Sequence, residues 1–302
     1  EKITQTTDGG YLLMGSTKQE DGTRLFLIKT DNDGKESWRK IFNEKNYRGN
    51  DIIALAENDF AIVGGTGIDE ENSQLWMAKF DANGTIVSEK IFEEGLTGWI
   101  KSIKKLPDGG YAMAGQTNDA NKKDCDAIVF RLDKNASQMW SSRIKSPGIK
   151  MWPECICCSP DSCFILAGWQ GNCLNDIDSD DPVFDYDMVV NKLDCNGKVL
   201  WTKNFDREGS EGGNAITIRP DGDFIVAGIK ATSFTGQVGP WLIHLSAEGE
   251  IKDEKLIPFH FNNDHAIKVI NTSDGGFVVI GPGVQEENNL RSNGWIMKFA
   301  SL

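Results

Sequence analysis

Between Asn175 and Asp187 the chain reads Asn-Asp-Ile-Asp-Ser-Asp-Asp-Pro-Val-Phe-Asp-Tyr-Asp, seven Asn or Asp side chains in thirteen residues. Calcium takes six to eight hard oxygen ligands, and Asp176, Asp178 and Asp180 have the alternating spacing of the first half of a calcium loop. Asp181 stands where such a loop needs glycine, and Pro182 and Phe184 follow. The run therefore reads either as a calcium site or as a solvated acidic loop. Calcium is the one cofactor the sequence suggests.

The seven cysteines, Cys125, Cys155, Cys157, Cys158, Cys163, Cys173 and Cys195, fall inside one stretch of 71 residues. No Cys-x-x-Cys pair is matched by a second at finger-like distance, which argues against zinc. Two disulfides, Cys125 with Cys173 and Cys158 with Cys163 or Cys195, would brace this stretch in an oxidising compartment. The alternative is a set of reduced core thiols.

Only three histidines are present, His244, His260 and His265, and no Gly-x-Ser-x-Gly elbow accompanies them. Serine hydrolase chemistry is therefore not expected. Glycosidase chemistry by paired carboxylates stays open, because the separation that decides it is not visible in a sequence. The formal charge of −13 opposes nucleic-acid binding, whose affinity comes mainly from clustered basic groups. Apolar runs of about five residues fall far short of the ~20 that cross a bilayer, so no membrane span is expected.

The elements that position these residues follow from a repeat. TTDGGYLLMGST, AENDFAIVGGT, LPDGGYAMAGQT, SPDSCFILAGWQ, RPDGDFIVAGIK and TSDGGFVVIGPG each give a turn, an aromatic, apolar residues and a glycine. The glycines are Gly15, Gly64, Gly115, Gly168, Gly228 and Gly281, spaced 49, 51, 53, 60 and 53 apart. Asp-Gly turns join two strands tightly. A third apolar strand follows (LFLIKTD, LWMAKFD, AIVFRLD, MVVNKLD, WLIHLS, WIMKFA), then a turn and, in five copies, a fourth strand.

Four short strands per unit at this spacing predict an all-β fold, a six-bladed β-propeller of four-stranded antiparallel blades. The expected blades are approximately 1–50, 51–98, 99–151, 152–213, 214–264 and 265–302, in a single domain. The second and third strands are apolar on both faces, as blades packed between neighbours require. The last unit has only three strands. The expectation is a last blade that is incomplete, or one closed by a strand from upstream of Glu1.

The pattern DGGYxxxGxT followed by LxKxDxxGxxxW resembles the propeller repeats of secreted and surface bacterial proteins, over essentially the whole chain. The resemblance implies an extracytoplasmic (secreted, periplasmic or cell-surface) location. The segment Gly197-Lys198-Val199-Leu200-Trp201 is also similar to the tryptophan-docking motif of quinoprotein-type propellers, in which the tryptophan packs on a neighbouring blade. Trp38, Trp140 and Trp201 match that motif; Ser88 and Asp253 depart from it.

Loops on one face of a propeller carry most binding sites. Segments 46–51, 95–99, 148–154, 209–214 and 259–265 are the expected loops there. Their candidate ligand-binding residues are Tyr47, Arg48, Trp99, Trp152, Glu154 and His265, a set that suits a glycan, peptide or protein partner or else caps the blade ends. Each third strand also carries one basic residue, Lys29, Lys79, Arg131, Lys192, His244 or Lys298, and nearby Asp31, Asp81, Asp133 and Asp194 are the expected partners. The reading that results is a non-catalytic extracytoplasmic binding or scaffold propeller. A polysaccharide-acting glycosidase or lyase using top-loop carboxylates, and a structural module of a larger surface assembly, are the alternatives.

Overall fold

The computed structural model describes residues 1–19, 22–43, 46–67, 72–118, 125–145, 149–173, 184–207, 209–231, 238–257, 265–284 and 292–300. The sheets follow the repeat. The first contains β1 (Lys2–Gln5), β2 (Tyr11–Gln19), β3 (Gly22–Thr30) and β4 (Glu36–Ile41). The second contains β5 (Tyr47–Ala54), β6 (Phe60–Thr66), β7 (Gln74–Phe80) and β8 (Ile86–Ile91), and the third β9 (Thr97–Lys105), β10 (Tyr111–Asn118), β11 (Cys125–Leu132) and β12 (Gln138–Ile144). The fourth contains β13 (Ile149–Cys158), β14 (Phe164–Cys173), β15 (Phe184–Leu193) and β16 (Val199–Phe205). The fifth contains β17 (Glu211–Ile218), β18 (Phe224–Ala231), β19 (Val238–Leu245) and β20 (Ile251–Leu256). The last contains β21 (Lys268–Asn271), β22 (Phe277–Val284) and β23 (Ser292–Phe299).

These sheets are the blades of a six-bladed β-propeller, five with four antiparallel strands and the last with three. Among the described residues the last blade thus has the three strands expected of the last unit. The described residues hold no helix long and apolar enough to cross a membrane.

The chain divides into two compact units, Glu1–Met139 and Trp140–Leu302. In the first, β6 shows why middle strands are apolar throughout. Phe60 and Ile62 join a cluster with Leu12, Met14, Leu25 and Leu27 of the first blade. Their neighbours Ala61 and Val63 point the other way, into a cluster with Ile100, Met113 and Ile128 of the third. Strand alternation therefore feeds two cores from one strand. In the second unit, Val226 packs with Ala167, Met188 and Val190 of the fourth blade, while Ile225 and Ala227 pack with Val269 and Val279 of the last.

The repeat glycine has a specific cause. A Cβ on Gly64, Gly115, Gly168, Gly228 or Gly281 would sit 1.8, 2.3, 2.2, 1.8 or 1.9 Å from the carbonyl oxygen of Arg48, Trp99, Trp152, Gly212 or His265 respectively. These five residues are therefore one repeat position. In four blades a β-bulge follows it, at Asn50, Lys101, Glu154 and Asn214, the residues skipped in the pairing register. The extra residue crowds the backbone against the second strand, where only glycine fits.

The bulge also sets where the first strands begin. First strands begin at Tyr47, Thr97, Ile149 and Glu211, upstream of the expected starts, because pairing continues beyond the bulge. Tyr47, Arg48, Trp99, Trp152 and Glu154 accordingly lie on strands rather than in loops.

The partners of the repeated basic residue differ from those expected. Lys29 pairs with Asp8 at 2.9 Å, Arg131 with Asp108, His244 with Asp223 at 2.8 Å and Lys298 with Asp274. Each of these carboxylates lies in the first turn of its blade. Thr6 and Lys29, by hydrogen bonds, lower the Asp8 carboxyl to about 2. Asp31, Asp81, Asp133 and Asp194 instead fold the turn before the fourth strand, each accepting two backbone amides: Asp31, for example, from Asp33 at 3.0 Å and Lys35 at 2.8 Å. Lys79, in a blade whose first turn is Glu57-Asn58-Asp59, lies 5.3 Å from the ring centre of Tyr111.

Candidate functional site

In the first unit the bulged strands of two adjacent blades build a cleft of about 190 Å³, lined by Arg48, Asn50, Gly65, Ser73, Trp99 and Lys101. Its logic is the repeat. The position whose carbonyl abuts the repeat glycine supplies Arg48 from β5 and Trp99 from β9, and the bulge position two residues on supplies Asn50 and Lys101. Asn50 spans the seam, its Nδ2 donating to the carbonyl of Ile100 at 2.9 Å. Asp51 fastens the same strands, accepting from the amide of Ile103 at 2.9 Å and the hydroxyl of Ser102 at 3.2 Å. The walls are thus held from below by buried polar contacts, which fix the angle between the strands.

Two glycines open the cleft. A Cβ on Gly65 would lie 2.1 Å from Ser73 Oγ and 3.3 Å from Trp99 Cβ, so any side chain there fills the space between them. Gly98, with φ of +147°, donates its amide to the carbonyl of Ser73 at 2.7 Å. A Cβ on Gly98 would meet the Gln116 carbonyl oxygen at 2.1 Å. The pair Gly98-Trp99 therefore brings the Ser73 segment onto β9 and leaves the indole half-buried at the rim. The Ser73 residue is 1% exposed, and its hydroxyl has no hydrogen-bond partner among the described residues. A buried hydroxyl left in that state costs free energy unless something donates to it or accepts from it.

Of the sequence candidates, Arg48 and Trp99 meet in this cleft. Tyr47 does not: its ring stacks on Trp76 at 4.6 Å and its hydroxyl donates to Glu89 at 2.9 Å. At 4% exposure Tyr47 is a core residue. Trp152, Glu154 and His265 belong to the second unit. Trp152 packs 5.7 Å from Tyr186, which Trp169 meets edge-on at 6.1 Å. Trp169 in turn donates to Asn214 Oδ1 at 3.2 Å. Glu154 occupies the bulge, and His265 gives its carbonyl to the seat at Gly281.

Asp176, Asp178 and Asp180 lie outside the described residues, as does the side chain of Cys173. Cys163 and Cys195 are free thiols. The Cys158 thiol lies 3.6 Å from the Ser159 carbonyl. That of Cys163 lies 3.5 Å from Asp161 Oδ2, and burial, then this carboxylate, push it up.

Sequence reasoning missed Asn50, Gly65, Ser73 and Lys101. Asn50 and Lys101 are legible as residues two beyond the candidates on alternating strands; nothing in the local sequence marks Ser73. It also missed Glu211, whose side chain is fully buried in the second unit with Oε1 unpartnered among the described residues. Burial raises its carboxyl to about 7, against the Arg207 amide and Lys230, which lower it, while Asp187 and Asp206 add to the rise.

No protein-family model and no curated protein matches this chain. Solved structures match it in fold. An α-L-arabinofuranosidase of Fusarium graminearum, in complex with an iminosugar inhibitor, superimposes with a TM-score of 0.63 at 11% identity, covering 98% of this chain and 91% of that one. An ulvan lyase of a polysaccharide lyase family, bound to GlcA(1-4)Rha3S, gives 0.62 at 8% identity over 98% and 78%. A protein of unknown function from Bacteroides caccae gives 0.59 at 10% identity over 97% and 92%. At these identities the likeness shows the propeller fold alone.

Proposed function

We propose that this protein is a non-catalytic, extracytoplasmic propeller that binds a glycan through the cleft between Arg48 and Trp99. The observation that supports it is the composition of that cleft. A half-buried indole offers a flat face for a sugar ring, flanked by the hydrogen-bonding groups of Arg48, Asn50, Ser73 and Lys101. Few polar groups around an aromatic wall are what a small-molecule site uses to fix orientation. The described lining contains no carboxyl group, whereas glycoside hydrolysis commonly uses a pair of them. Saccharide-acting propellers among the solved structures of similar fold are compatible with a sugar ligand, as an analogy of fold only.

Screening the protein and its Trp99→Ala variant against an array of glycans tests the reading. The expected result is a bound glycan whose signal falls by at least about tenfold in the variant, as loss of a stacking contact and its packing implies. A bound glycan that Trp99→Ala leaves untouched moves the site elsewhere; turnover of that glycan replaces binding with catalysis.

A further inference from the structure

We infer that Ser73 selects the ligand of this cleft: a single sugar ring lies against Trp99 and hydrogen-bonds through one ring hydroxyl to Ser73 Oγ. This rests on the reading of the cleft as the glycan site, and it names the part of a glycan that enters and the residue that discriminates.

The hydroxyl carries the argument. Ser73 is 1% exposed and lines the cleft, and its Oγ has no hydrogen-bond partner among the described residues. The repeat does not ask for a hydroxyl at this point. Ser73 stands three residues before Trp76, the pairing partner of the repeat glycine Gly64. The same offset gives Cys125 before Ile128, Tyr186 before Val189 and Val238 before Trp241. A position that takes valine in another blade gains no stability from an unsatisfied serine, whose burial costs free energy until a ligand restores the lost bond.

The surroundings present this hydroxyl beside the indole. The carbonyl of Ser73 accepts the amide of Gly98 at 2.7 Å, which fixes the backbone that carries Oγ. A Cβ on Gly65 would lie 2.1 Å from Ser73 Oγ and 3.3 Å from Trp99 Cβ, so the hydroxyl and the tryptophan flank one gap that glycine keeps open. The cleft measures about 190 Å³, below the roughly 300 Å³ at which pockets begin to enclose drug-sized molecules. It therefore seats one ring and not a length of chain. A sugar hydroxyl both donates and accepts, as does that of serine. A site built around such a bond rejects the analogue lacking the hydroxyl far more strongly than packing alone would.

The test titrates the full chain, its Ser73→Ala variant and its Trp99→Ala variant with the methyl glycosides of galactose, glucose and mannose and with the four monodeoxy derivatives of each, read by NMR. The expected result is that one methyl glycoside binds through Trp99, and that removing one particular hydroxyl from it weakens binding at least about tenfold. In Ser73→Ala the same deletion should cost less than about twofold, because the bond it breaks is already gone. The variant should also melt no lower than the parent in the absence of sugar, since the hydroxyl has no partner to lose. A glycoside that binds through Trp99 with equal deoxy penalties in parent and Ser73→Ala overturns the inference and leaves the glycan reading standing. A lower melting temperature with unchanged affinity in Ser73→Ala also overturns it, by making the hydroxyl a structural group held by buried water. Binding of an array glycan but of no methyl glycoside overturns the single-ring seat. Failure of every methyl glycoside and every array glycan takes down the glycan reading itself.

Discussion

The indole nitrogen of Trp140 donates to the carbonyl oxygen of Cys195 at 3.1 Å, and the ring covers the turn where Gly197 has no side chain. A Cβ on Gly197 would lie 2.8 Å from that ring. The same docking recurs where Trp38 donates to Ala82 at 3.2 Å and covers Gly84, and where Trp201 covers Gly249. Gly34 occupies the equivalent turn with φ of +82° and nothing within 4 Å. Gly34→Ala should therefore cost only the left-handed backbone term, about 1 kcal/mol. Gly197→Ala should cost roughly 1–3 kcal/mol more, because the ring must also move. Urea denaturation of the two variants checks this, and equal losses would remove the docking contact from the account.

The absence of a docking tryptophan is equally informative. Ser88 stands where Trp38 stands one blade earlier, and in the third blade the turn equivalent to that of Gly84 carries Ala136 at φ +62° in place of glycine. With no ring to accommodate, the turn tolerates a Cβ. Ser88→Trp should thus gain nothing alone, yet become stabilising in combination with Ala136→Gly. A double-mutant cycle should return a favourable coupling of about 1 kcal/mol, within the range found for residues in contact. Additive effects would mean that turn and strand do not meet in this way.

The repeat was legible because its physics is local. Asp-Gly turns, two-faced apolar strands and one glycine per unit predict six blades and the missing strand without any long-range information. The tryptophan docking was legible only through the resemblance to tryptophan-docking propellers, because it joins residues 44 and 55 positions apart. What the sequence left open depends on register. A one-residue bulge in the first strand moves Arg48, Trp99, Trp152 and Glu154 from expected loops onto strands, and no residue type announces it. The ion-pair partner of Lys29 was misjudged because Asp31 is near in sequence, while Asp8 is brought near by pairing of β2 with β3. Ser73 acquires its role only through Gly98, on the next blade, and so carries no local signal.

The thiols of the fourth blade should differ in reactivity. Cys195 is exposed in its turn, whereas Cys163 is buried and its thiol is pushed up by burial and then by Asp161. Since the thiolate is the reacting species, Cys195 should alkylate first in the folded protein at neutral pH, with Cys163 modified only on unfolding. Mass mapping after a short pulse of iodoacetamide reads this directly. Early modification of Cys163 would show that its turn opens readily; a Cys195 found in a disulfide would restore the bridged arrangement expected from the sequence.

Glu211 sets the sign of a pH dependence. Its carboxyl is raised from 4.5 to about 7 by burial, so the folded state holds a proton that the unfolded chain has already released between those values. Stability contributed by this group is full at acidic pH, falls as pH rises through that window and stays low above about 7. At about 1.4 kcal/mol per pKa unit, the ionised carboxyl costs on the order of 3 kcal/mol in mildly alkaline solution. Asp187, also raised by burial, contributes with the same sign, so the test compares slopes rather than single points. Glu211→Gln should flatten the fall in stability between pH 5 and about 8 and melt higher than the parent at the alkaline end. Parallel curves for the two proteins would show that Glu211 finds a partner or water on ionising, and that its burial is relieved as the proton leaves.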